Sequence, residues 1–135
     1  MFTSATIRIA SFNIQTWGDS KAQKPYVQET IAQIIAQFDV VAIQEIRTQD
    51  NYFLDNFLRS YVNADGRHYY DYVIGPRLGR SNSKEQYAFI FDTTAVEVNR
   101  NAIYWKTAGF VIRRLAAQNA LPPGFRAEVP PATRA

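Results

Sequence analysis

Residues 5–45, ATIRIASFNIQTWGDSKAQKPYVQETIAQIIAQFDVVAIQE, decide the fold. Ala5 to Asn13 alternates through Ile7 and Ile9 and reads as a strand, since successive side chains of a strand point to opposite faces. Gly18-Asp19-Ser20 reads as a loop. Pro25 suits a first helical position, where its missing N–H would have no partner in any case. Val27, Ile31, Ile34, Ile35 and Phe38 then recur at i, i+4, i+7, i+8 and i+11, one apolar face of a helix expected to end near Phe38 and Asp39. Val40-Val-Ala-Ile43 is an unbroken apolar run, the pattern of a strand covered on both faces. Strand, helix and strand form a βαβ unit, with parallel strands and a right-handed crossover.

Outward from this unit, Asp50 or Asn51 is placed to cap a second helix with Phe53, Leu54, Phe57, Leu58 and Tyr61 on its apolar face. Ala64-Asp65-Gly66 signals a turn. Tyr69 to Ile74 reads as a strand, Gly75-Pro76 opens a loop rich in Arg, Ser and Asn that runs to about Lys84, and Tyr87 to Phe91 reads as a buried strand. Ala95 to Trp105 is expected to return as an antiparallel hairpin after the Asp92-Thr-Thr94 turn. Beyond Trp105, Ala, Arg and Pro dominate. Residues 108–119 suggest a short helix, and disorder is expected from Pro122 onward. The chain divides into residues 1–105, a mixed sheet with helices on its outer face, and a basic tail over 106–135.

A chain of 135 residues with 47% hydrophobic residues can bury one modest core. The absence of Cys excludes disulfides, thiolate metal sites and a Cys nucleophile. No signal peptide is visible at the N-terminus, and no apolar run approaches the roughly 20 residues of a membrane span. The net charge of +3 is unevenly spread. Residues 1–105 sum to −1 and residues 106–135 to +4, and a solvated cationic tail is the plainer reading of that excess.

Two parallel strands joined by a crossover helix end on the same sheet edge, where open α/β sheets bind ligands. Asn13 ends the first strand and Glu45 the second. An amide beside a carboxylate is hard-oxygen chemistry, suited to Mg²⁺ or Mn²⁺ rather than Zn²⁺. Arg47 lies on the same rim, and the loop after residue 74 adds Arg77 and Arg80. Guanidinium groups above such a site suit a phosphodiester, because Arg binds phosphate bidentately. His68, the single His, starts a strand beside a turn and reads as a surface or packing residue.

Ser11-Phe-Asn13-Ile-Gln15, Val41-Ala-Ile-Gln-Glu45-Ile-Arg47 and Leu78-Gly-Arg80 followed by Lys84-Glu-Gln-Tyr-Ala-Phe89 resemble the deoxyribonuclease I branch of the endonuclease/exonuclease/phosphatase superfamily, in order and spacing, over residues 6–105. The resemblance implies an α/β sandwich of two sheets with outer helices, of which this chain supplies about one sheet. It implies a Mg²⁺-dependent endonuclease, with Mn²⁺ or Ca²⁺ as other candidate cations, that hydrolyses phosphodiester bonds in DNA. By resemblance Asn13 contacts the scissile phosphate or the metal shell, Glu45 is the metal ligand, and Arg47 reaches the minor groove. Arg80 lies in the DNA-facing loop, and Glu85 orients a catalytic His. A Tyr that precedes the Lys-Glu pair in the family is replaced here by Ser83.

The family's mechanism also uses two catalytic His, a Gly-Asp-Phe-Asn-type loop, a further Asp and a Ser-Asp-His ending. None is found in these residues, and Gly18-Asp19-Ser20 is not that loop. The sequence therefore leads to the expectation of a truncated, inactive nuclease half. Its inner sheet face should be an open apolar patch prone to self-association. Two other readings stay open: a non-catalytic nucleic-acid-binding half-domain, and a superfamily phosphatase or phosphodiesterase acting on a phospholipid or inositol phosphate.

Overall fold

A computed structural model describes residues 6–99 and 111–114. Strand β1 (Ile9–Trp17) is followed by a single helical turn α1 (Asp19–Ala22), helix α2 (Pro25–Ile35), β2 (Val40–Ile46) and α3 (Phe53–Phe57). The last continues as a π-helical turn over Leu58–Val62. Strands β3 (Tyr70–Ile74), β4 (Gln86–Asp92), β5 (Val96–Asn99) and β6 (Val111–Arg114) complete the described chain. Four strands form one mixed sheet in the order β1-β2-β4-β3, with β1 parallel to β2 and β4 antiparallel to both of its neighbours. This mixed sheet with helices is the architecture expected from the sequence.

The helices lie against one sheet face. Ile31, Ala32 and Ile35 of α2 and Leu54, Phe57, Leu58 and Val62 of the second helical segment bury with Ile14, Val41, Ile43, Ala88 and Ile90 of the sheet. Trp17, fully buried, meets Phe53 and Phe57 edge-on at 4.9 Å each. Such aromatic pairs contribute about 0.5–1.5 kcal/mol each beyond their area. The other face is divided. Val40, Val73 and Phe91 are sealed by Val96 of β5, whereas toward β1 the face carries Ile9, Ser11 and Asn13, and Ile9 is 71% exposed. The open face is therefore not uniformly apolar.

Several expectations are corrected. β1 runs on to Trp17, and Gly18-Asp19-Ser20 enters a helical turn instead of a loop, closed by Lys21 and Ala22 N–H groups on the Gly18 carbonyl. α2 ends at Ile35, short of Phe38. β5 does not pair with β4. It pairs antiparallel with β6, which replaces the short helix expected around residues 108–119. The β-branched pair Val111-Ile112 favours a ladder once a partner strand is present, and tertiary pairing overrides a weak helical pattern. The remainder of the expected tail over 106–135, including the disorder from Pro122, lies outside the described residues. Among the described residues no helix is long and apolar enough to cross a membrane.

Candidate active site

The parallel pair β1–β2 brings Asn13 opposite Gln44, and the register then breaks until Trp17 meets Ile46. In that gap three non-glycine residues, Gln15 (φ 53°), Thr16 (φ 63°) and Glu45 (φ 63°), adopt left-handed backbone. Inserted residues in a strand change the side-chain phase. Val41 and Ile43 face the helices, so strict alternation would send Glu45 to that face and Ile46 away from it. Instead Ile46 is buried in the helix-side core, and Glu45 turns out to join Asn13. On β1 the same shift keeps both Ile14 and Trp17 in the core. Clustering of left-handed residues in a bulge is characteristic of functional sites.

The Glu45 carboxylate is held on both oxygens. Asn13 Nδ2 donates to Oε1 at 2.8 Å, and the Thr16 backbone N–H donates to Oε2 at 2.8 Å. Asn13 is itself fixed, its Oδ1 accepting from the Gln15 N–H at 2.8 Å. The Asn13 hydrogen bond, followed by that of Thr16, holds the Glu45 carboxyl below its ordinary value, with help from the Arg47 and Lys21 charges against a desolvation that opposes them. The group is therefore a fixed anion at neutral pH.

Arg47, two residues on, turns to Glu85 at the start of the β4 approach. Its Nε donates to Glu85 Oε1 at 3.0 Å, and its Nη2 donates to the same oxygen. The loop that carries Arg80 is closed by a bridge between Leu78 and Glu85 and leaves Arg80 exposed. Arg77 serves a different purpose from the phosphate contact considered from sequence. Its guanidinium donates to the carbonyls of Thr48 (2.7 Å), Lys84 (3.0 Å) and Arg47 (3.2 Å), tying the Arg47 segment to the Glu85 segment. His68 sits apart, its Nδ1 3.0 Å from Asp65 Oδ2 in the turn before β3.

The structure thus brings Asn13 and Glu45 together directly, and links Arg47 with Glu85 beside them. Sequence reasoning missed the Thr16 amide, the clamp formed by Arg77, and Lys21, whose Nζ lies 2.6 Å from the carbonyls of both Ile14 and Gln15. Spacing carried no signal for these: the Thr16 amide and the Lys21 contacts depend on backbone groups displaced by the bulge, and the Arg77 clamp depends on carbonyls of two segments distant in sequence.

Among the described residues no group of three or more His, Asp or Glu side chains converges as a closed metal cage. The donor at Glu45 is one ionised carboxylate, since Asn13 turns its Nδ2 to it and its Oδ1 to the Gln15 N–H, and a single carboxylate fits a hydrated hard cation. Mg²⁺ keeps several waters and commonly binds through one or two carboxylates.

The sequence matches the model of the endonuclease/exonuclease/phosphatase family over residues 10–133. It is 33% identical over 128 residues to human deoxyribonuclease-1-like 2, covering 95% of this chain and 42% of that protein. It is 36% identical over 101 residues to chicken (Gallus gallus) deoxyribonuclease-1, covering 75% of this chain and 36% of the relative. Human deoxyribonuclease gamma matches at 34% over 104 residues, 76% of this chain and 34% of its own length. The chain thus spans 34–42% of the length of these relatives.

Proposed function

The chain belongs to the endonuclease/exonuclease/phosphatase family, and from that premise we propose that it carries the metal- and phosphate-facing part of a divalent-metal-dependent DNA phosphodiesterase. The observation that carries the reading is the Glu45 carboxylate, displaced by a strand bulge onto the face of Asn13 and fixed through both oxygens. The deoxyribonuclease relatives favour DNA over a phospholipid or inositol phosphate as the substrate.

In this reading Glu45 is the carboxylate that holds Mg²⁺, with Mn²⁺ or Ca²⁺ as alternatives. A bound divalent cation supplies electrostatic stabilisation of the charge that develops on the phosphoryl oxygens. Asn13 orients Glu45 and lies beside the phosphate. Arg47 and Arg80 bind DNA, Arg47 toward the minor groove and Arg80 along the backbone from its exposed loop. Glu85 holds Arg47, and the family resemblance supports reading it as a carboxylate that orients a catalytic His.

These 135 residues contain one His, and it is engaged with Asp65 in a turn. A missing general base typically lowers a rate by 10²–10⁴-fold. We therefore expect the chain alone to bind metal and DNA without measurable hydrolysis. Calorimetric titration with Mn²⁺ and a supercoiled-plasmid nicking assay test this together. A Mn²⁺ site lost in Glu45→Gln supports the reading. Metal-independent, salt-sensitive DNA binding with no Mn²⁺ site at Glu45 moves the chain to the second reading, a non-catalytic nucleic-acid-binding half-domain. Self-association through the partly open sheet face predicts a concentration-dependent sedimentation coefficient.

A further inference from the structure

We propose that Lys21 is a positioning residue of this site: its ammonium, donating to the Ile14 and Gln15 carbonyls, holds the left-handed bulge through which Asn13 and the Thr16 amide reach Glu45. The bulge has a difficult backbone. Gln15 and Thr16 are consecutive left-handed residues, and Thr is β-branched, a residue type for which positive φ is a true outlier. Such a conformation persists only where its surroundings over-determine it. The ladder between β1 and β2 is interrupted here, so the carbonyls of Ile14 and Gln15 lie outside its regular pairing. Lys21 Nζ meets both at 2.6 Å.

Lys21 is not a free surface side chain that happens to fold back. Its own N–H bonds the Gly18 carbonyl at 3.1 Å. Its carbonyl accepts from Gln28 Nε2 at 2.8 Å, and Gln28 Oε1 accepts from the buried Trp17 indole at 3.2 Å. On the other side of α1, Asp19 Oδ1 accepts from Thr48 Oγ1 at 2.6 Å. The short helix is therefore pinned to the core, to α2 and to the end of β2, which fixes the start of the Lys21 side chain under the bulge. The ammonium also adds positive charge near Glu45. A neutral side chain of the same length fills the space without satisfying the carbonyls.

The proposal rests on the reading of Glu45 as a metal ligand only for its metal readout. The test uses the whole chain, ¹⁵N-labelled, as wild type, Lys21→Met and Lys21→Arg. In Lys21→Met the Thr16 amide should exchange with solvent about tenfold faster or more, while the core Val41 amide keeps its protection. Mn²⁺ affinity should fall about 10–100-fold, the range for residues that orient a metal ligand. Lys21→Arg should restore most of both. A general structural role would instead move Val41 along with Thr16, which overturns the proposal, as does an unchanged Thr16 amide. If the wild type binds no Mn²⁺, the ligand reading of Glu45 fails and Lys21 is judged on Thr16 exchange alone. Should Lys21→Met not fold, the wild-type Lys21 ammonium protons decide. Slow exchange at neutral pH with contacts to Ile14 and Gln15 is expected, and a freely exchanging signal rejects the assignment.

Discussion

Asn13 Nδ2 donates to Glu45 Oε1 at 2.8 Å across two parallel strands, joining residues 32 apart in sequence. This bond is the largest influence that keeps the Glu45 carboxyl ionised. A carboxyl whose value is lower in the folded chain contributes stability above its ordinary value, near 4.5, and loses it as pH falls through the lower folded value. Asn13→Ala should raise the Glu45 value and shrink that acid-side contribution. Carboxyl ¹³C titration of wild type and variant reads the shift, and coincident curves would refute it.

Gln28 is a buried amide with a structural task. It accepts from the Trp17 indole and donates to the Lys21 carbonyl, both inside or at the edge of the core. Gln28→Leu keeps the volume but leaves the buried Trp17 indole N–H unpaired, while the Lys21 carbonyl keeps only the Lys24 N–H. Such an orphaned donor costs about 1–3 kcal/mol. The urea midpoint should fall accordingly, and an unchanged midpoint would show that water replaces the amide.

Gly79 shapes the Arg80 loop. Its φ of +136° is open to glycine, and a Cβ there would stand 2.7 Å from the Ser83 carbonyl oxygen. Gly79→Ala should strain the loop by about 1–3 kcal/mol. Limited proteolysis between residues 78 and 84 should quicken, and the proposed salt-dependent DNA binding should weaken with little change in Mn²⁺ affinity at the proposed Glu45 site.

Tyr70 donates to the Phe38 carbonyl at 2.7 Å, and burial pushes its hydroxyl up to about 12. A group with a raised folded value stabilises fully below its unfolded value, near 10, and loses that contribution as pH rises through the folded value. The chain should therefore weaken between pH 10 and about 12. Tyr70→Phe should lose about 1 kcal/mol at neutral pH and show a flatter alkaline limb. Ultraviolet titration of tyrosinate alongside thermal melts separates the two effects.

Glu85 holds Arg47, the guanidinium proposed to engage DNA. Glu85→Gln removes the opposing charge while keeping an acceptor, so Arg47 becomes freer to engage DNA. Binding should tighten at low salt, and the salt dependence should steepen by roughly one phosphate contact. Fluorescence anisotropy with a short duplex across a salt series measures this. A slope equal to wild type means that Arg47 does not reach DNA.

The helical periodicity of Val27 to Ile35 and the apolar run of Val40 to Ile43 specified a βαβ unit, because period and burial are written in residue types. The same unit placed Asn13 and Glu45 on one edge, and the Ser11–Gln15, Val41–Arg47 and Leu78–Phe89 motifs pointed to the family. Side-chain pattern did not disclose the bulge that carries Glu45 to the Asn13 face, since strict alternation would have turned it toward the helices. Nor did it disclose the pairing of β5 with β6 in place of β4, the use of Arg77 as a backbone clamp, or the engagement of Glu85 by Arg47. Those features depend on where backbone groups and side chains fall after distant segments meet. Residue identity and local spacing determined which groups were available to this site; the long-range register of β1 on β2, and the left-handed turns it permits, decided which of them touch.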